Sequence, residues 1–179
     1  MQKYSEVLGL PVISLDNGKK VGNVKNIIFC PKKKKILAFL LECKSFEFSK
    51  KIIYTDDIVN IGKDAVIIKE ENSLKNYKKT KKSHEFTEKG EVIGLRVISK
   101  KGEDVGIVKD VIFDYKHNCI EGFEISDGLI HDLVKGRSVL PLIGKVEFGE
   151  EIILVDNDAV EEIMETGGGI SNIIKDKKR

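Results

Sequence analysis

The hydrophobic and polar positions of this chain follow one pattern that occurs twice. The stretch from Leu8 to Glu42 returns between Ile93 and Ser126, shifted first by 85 and then by 84 positions. The residues of the first copy that recur unchanged are Gly9, Leu10, Val12, Ile13, Ser14, Val21, Gly22, Val24, Lys25, Ile28, Phe29, Ile36 and Phe39. Because glycines and apolar residues recur while no set of catalytic side chains does, the pattern indicates a duplicated scaffold.

The repeated stretch is typical of β-strands. Its runs of β-branched and aromatic residues are bounded by turn residues and predict long strands near 20–30 and 35–42, repeated near 104–115 and 119–126. The alternation of apolar and polar residues fails over 26–29, where both faces turn apolar. This failure predicts a β-bulge or a bend in the sheet.

The second copy carries an insert, DGLIHDLVKGR, that the first copy lacks. Its apolar residues recur at helical spacing and predict a short helix over 129–135, with Asp127 in position to cap it. Only one face of this helix is apolar. We therefore expect Leu129 to lie against the second domain, while Asp132 and Arg137 face outward or reach neighbouring loops.

The repeat also divides the chain. It predicts a first domain over 1–70 and a second domain over 92–169, which ends in a helix near 158–165. Between the two domains, 71–91 has no apolar period and is rich in lysine, so we expect a solvated linker. Residues 170–179 form a basic tail.

Composition favours a soluble protein. Of the 179 residues, 34% are charged and 41% are hydrophobic, and no apolar run approaches the roughly 20 residues that span a bilayer. The N-terminus lacks the basic start and long apolar stretch of a signal peptide, so we expect a cytoplasmic location. The net charge is +2, but residues 1–68 carry 12 lysines against 7 acids and residues 92–179 carry 12 basic against 17 acidic residues. The two copies have therefore diverged on their surfaces.

Each copy resembles the PRC-barrel domain, a small β-barrel. The first copy carries the resemblance in LGLPVISLDNGKKVGNVKNIIF and KILAFLLE, and the second in IGLRVISKKGEDVGIVKDVIF and CIEGFEIS. The resemblance implies an all-β protein of two tandem small barrels with short helices. The segment ISDGLIHDLVKGRSVLP also looks like a stretch of sporulation-associated PRC-barrel proteins of spore-forming bacteria. Since the matching pattern consists of turn glycines and core aliphatics, it supports a fold and not an activity.

Signals for catalysis and metal binding are weak. Cys30, Cys43 and Cys119 form no CxxC pair and fall at non-equivalent repeat positions, which favours reduced structural thiols. The histidine and acids of the insert lack a second cluster to complete a metal shell. Neither a GxSxG elbow nor a GxxxxGK[ST] loop is present. We therefore predict no enzyme activity, no cofactor and no metal.

Two lysine clusters are candidates for contact with an anion or RNA, since lysines neutralise phosphates. The first, at the tip of a predicted hairpin, comprises Lys32, Lys33, Lys34 and Lys35. The second lies in the linker beside Tyr77, whose ring offers a stacking surface for a base, and comprises Lys78, Lys79, Lys81 and Lys82. The second copy replaces the lysine tip with Lys116-His117-Asn118, so solvated loops are the favoured interpretation.

These observations favour a non-enzymatic binding or adaptor module that docks a protein partner through its barrel edges and the insert. The residues expected at the docking surface are Asp127, Leu129, Asp132 and Arg137. The alternative is an RNA-associated factor in ribosome maturation or RNA metabolism that acts through the lysine clusters. A partner that survives nuclease treatment would favour the first, and a salt-dependent association with RNA would favour the second.

Overall fold

The computed structural model of the protein describes residues 1–30, 33–43, 50–77, 87–88, 92–126 and 137–165. These parts of the chain consist of β-strands with a few short helical segments. The all-β class predicted from the sequence is therefore confirmed.

The chain divides into two compact units whose boundaries do not follow the repeat. The first unit contains Met1–Gly90 together with Phe113–Cys119, and the second contains Glu91–Ile112 together with Ile120–Arg179. The tip of the long hairpin of the second repeat therefore belongs to the first unit.

The first unit contains nine strands in the described part of the chain. They are β1 (Gln2–Lys3), β2 (Pro11–Ser14), β3 (Lys20–Cys30), β4 (Lys35–Glu42), β5 (Lys51–Tyr54), β6 (Ile58–Ile61), β7 (Val66–Ile68), β8 (Lys75–Asn76) and β9 (Thr87–Glu88). The helical segments are α1 (Tyr4–Val7) and two 3₁₀ turns, Thr55–Asp57 and Glu71–Ser73. Hydrogen bonds order the strands β6-β7-β2-β3-β4-β5-β8, with β9 beside β3.

The second unit repeats this arrangement. Its elements are β10 (Arg96–Ser99), β11 (Asp104–Asp114), β12 (Cys119–Ser126), β13 (Ser138–Pro141), β14 (Val146–Phe148), β15 (Ile152–Val155), α2 (Asn157–Glu161) and β16 (Met164–Glu165). The last residues of β11 and the first residue of β12 belong to the first unit. The strand order is β14-β15-β10-β11-β12-β13-β16, which is the order of the first unit with each strand replaced by its counterpart.

The registers of the ladders agree with the repeat read from the sequence. The parallel pair Ile13–Ile67 of β2 and β7 returns as Ile98–Leu154 in β10 and β15. The β2–β3 and β10–β11 ladders each shift register at the same repeat position. The duplication therefore extends to the details of strand pairing.

The irregularity predicted in the long strands is present. The β3–β4 ladder shifts register between Val24 and Asn26. Two residues earlier, a Cβ atom at Gly22 would lie 2.8 Å from the carbonyl oxygen of Glu42. Any side chain here would push the two strands apart, so the close approach of the backbones requires glycine.

The strand paths are open in the described residues. The path ends at β6 and β8 in the first unit and at β14 and β16 in the second. The pairings of these residues therefore give two all-β units of equal strand order, without a ring of hydrogen-bonded strands.

Residues 71–77 are folded, which makes the prediction of a solvated linker wrong at this end. Strand β8 pairs with β5, where Ile52 lies opposite Lys75. Tyr77 is buried in the apolar cluster formed with Ile28, Ala38, Leu40 and Ile52. The signal was missed because a single turn and a two-residue strand carry no detectable period.

The C-terminal helix is shorter than predicted. It ends at Glu161, and Met164 and Glu165 form β16 opposite Val139 and Ser138 of β13. The tertiary pairing with β13 overrides the local helical spacing. The helix predicted over 129–135 and the basic tail lie outside the described residues.

Candidate functional site

The insert of the second repeat connects β12 to β13, and these two strands pair with each other. In the antiparallel β12–β13 ladder, Ile125 lies opposite Ser138. The predicted docking residues that fall outside the described part of the chain are Asp127, Leu129 and Asp132. Arg137 is described and lies at the point of re-entry, directly before β13.

A buried carboxylate holds the guanidinium of Arg137. Its Nη1 donates to Oε1 of Glu124 at 2.8 Å. The side chain of Glu124 is 6% exposed, whereas that of Arg137 is 48% exposed. This charge-assisted hydrogen bond therefore anchors the guanidinium at the root of the insert and leaves half of the arginine side chain in contact with solvent.

The matching face of the first unit carries no acid at either of the two corresponding positions. Leu40 matches Glu124 at the repeat offset of 84 and belongs to the buried cluster around Tyr77. Asn26 lies opposite Leu40 in the β3–β4 ladder, and its counterpart in the second repeat is Asp110, which is only 4% exposed. The second repeat thus buries two acids at positions where the first has a leucine and an amide.

The two lysine-bearing hairpin tips meet inside the first unit. Lys35 pairs with Cys119 across β4 and β12. The amide of Ile36 donates to the carbonyl oxygen of Asn118 at 2.9 Å. Because β4 and β12 run antiparallel, the turn that carries Lys116 continues along β4, away from Lys33. Lys33, Lys34 and Lys35 are described, whereas Lys32, Lys78, Lys79, Lys81 and Lys82 lie outside the described residues.

Aromatic residues seat the second tip. Phe113 is fully buried and meets Phe39 edge-on, with ring centroids 6.2 Å apart. Tyr115 is buried and its hydroxyl donates to Oδ1 of Asn60 at 3.0 Å. The sequence does not reveal this arrangement, because Tyr115 and Asn60 come from different repeats and share no local pattern.

Tyr77 is not available as a stacking surface, contrary to the possibility raised by its position beside the linker lysines. It is 4% exposed and packs in the cluster of the first unit. His117, by contrast, is exposed at the second tip, and its Nδ1 lies 2.6 Å from Oδ2 of Asp114.

An exposed ionic network lies in the second unit. Nζ of Lys100 lies 2.6 Å from Oδ1 of Asp156, whose Oδ2 accepts from the backbone N–H of Lys145 at 2.7 Å. The Lys145 ammonium lies 3.0 Å from Glu147. These hydrogen bonds lower the pKa of Asp156, chiefly through Lys100, and that of Glu147, chiefly through Lys145.

The network should give unfolding a measurable pH dependence. A carboxyl group whose pKa is lower in the folded than in the unfolded chain stabilises the fold above its ordinary pKa of about 3.9, and loses that contribution as the pH falls through the lowered value. Lys100→Gln removes the main cause of the lowered pKa of Asp156. We expect the midpoint of urea unfolding to drop less between about pH 6 and about pH 3 in this variant than in the unsubstituted protein.

Lys101→Gln is the matched control, since Lys101 is exposed and its ammonium takes part in none of the ion pairs of the described residues. It should leave the pH dependence unchanged. Equal pH dependence in Lys100→Gln and the unsubstituted protein would show that the lysine does not act on Asp156.

Other candidate chemistry is absent from the described residues. They contain no group of three or more histidine, cysteine or acidic side chains able to hold a metal ion. Cys30, Cys43 and Cys119 form no disulfide, and burial raises the pKa of the Cys43 thiol. A raised pKa keeps this thiol protonated and lowers its reactivity.

Comparison with known families identifies the scaffold. The model of the PRC-barrel domain matches residues 1–75 and again residues 86–162. The chain therefore belongs to the PRC-barrel domain family and contains two tandem copies. A search of curated proteins gives no match. Among the described residues, no helix is both long enough and apolar enough to cross a membrane.

Proposed function

We propose that this protein is a non-enzymatic adaptor that binds a protein partner, and that each of its two repeats closes as a small PRC-like barrel. The proposal rests on a scaffold whose repeated residues are turn glycines and core aliphatics. The cytoplasm is the location that we propose, because its reducing conditions suit a protein whose three cysteines form no disulfide.

The observation that carries the proposal is the divergence of two otherwise matching sheet faces. A buried acid is costly unless it is paired and hydrogen-bonded, whereas a leucine at the same position stabilises the core. The first repeat has Leu40 at this position, and the second has Glu124 paired with Arg137. Folding alone gives no reason for the exchange.

The divergent face lies at the root of the insert, which is itself the largest difference between the two copies. Both changes therefore affect one place in an otherwise repeated scaffold. We infer that the partner docks there, against the insert and the exposed part of Arg137.

Photocrosslinking in the native cell tests this proposal. A benzoylphenylalanine at Asp132, in the full chain, should form an adduct with one protein, identified by mass spectrometry. The control position is Lys63, which is exposed on a loop of the first repeat. The same adduct at both positions, or an adduct that nuclease removes, would contradict docking at the insert.

The identified protein should then bind the purified chain directly. Because Arg137 would contribute a partly desolvated charge to the interface, Arg137→Ala should weaken binding by about 10-fold or more. Binding unaffected by this substitution, as measured by calorimetry, would exclude Arg137 from the docking surface.

A further inference from the structure

We draw no further inference here: the strongest candidate, the apolar surface patch of the first unit beside β2, β7 and β6, where Leu15 and Val59 are exposed, carries none because nothing in the structure shows what covers it.

Discussion

Phe113→Ala should lower the free energy of unfolding by about 3–5 kcal/mol, which is the usual cost of truncating a buried phenylalanine. Phe113 is 0% exposed and meets Phe39 of the first repeat edge-on. The substitution removes transfer free energy, leaves a cavity and takes away the main apolar anchor of the second tip. Urea denaturation followed by circular dichroism measures the loss.

Lys116→Ala is the matched control, since it lies on the same tip but is exposed. It should change the free energy of unfolding by no more than about 0.5 kcal/mol. A loss below about 1 kcal/mol in Phe113→Ala would show that the tip is not seated as described.

Arg137→Ala should destabilise the protein by about 1–3 kcal/mol, because a buried acceptor loses its charged donor. The side chain of Glu124 is 6% exposed, so water replaces the guanidinium poorly. Thermal unfolding monitored by calorimetry measures the effect. Arg137→Lys should retain part of the stability, since lysine keeps the charge but not the planar donor fork.

Adding Glu124→Leu to Arg137→Ala should restore stability, because the carboxylate that lost the guanidinium is gone and leucine is the residue of the matching position in the first repeat. A double variant that is less stable than Arg137→Ala would contradict this account. It would mean that Glu124 is held mainly by interactions other than the one with Arg137.

The sequence was sufficient for the strands and for their duplication. Glycines and aliphatic residues recur at fixed offsets because each marks a turn or a core position, so the equivalence of Ile13 with Ile98 was readable before the structure and returns in the ladders. The irregularity near Asn26 was also readable, because a bulge breaks the alternation of apolar residues.

Long-range pairing was not readable. The position of the Tyr115 side chain depends on its hydrogen bond to Asn60, which is 55 positions away in the sequence, and no periodicity links the two residues. Likewise, the burial of Tyr77 comes from a two-residue strand added to β5, too short to produce a pattern. A third case is Met164, whose helical spacing predicted a helix while pairing with β13 made it a strand.

Some residues of the candidate sites could likewise be found from the sequence, whereas their long-range partners could not. The lysines of the first tip were recognisable as a charge cluster, but the pairing of Lys35 with Cys119 of the second repeat was not. Arg137 was selected because it follows the insert. Its partner Glu124 was not, since an acid in a strand is usually on a solvated face.

A double-mutant cycle between Phe39 and Phe113 tests most directly the claim that the hairpin tip of the second repeat packs as part of the first unit. Phe39→Leu, Phe113→Leu and the double variant should each be compared with the unsubstituted protein by urea denaturation. Edge-to-face contact predicts a coupling free energy of about 0.5–1.5 kcal/mol. If the two losses instead add to within about 0.3 kcal/mol, the rings do not touch in solution and the tip of the second repeat is not part of the first unit.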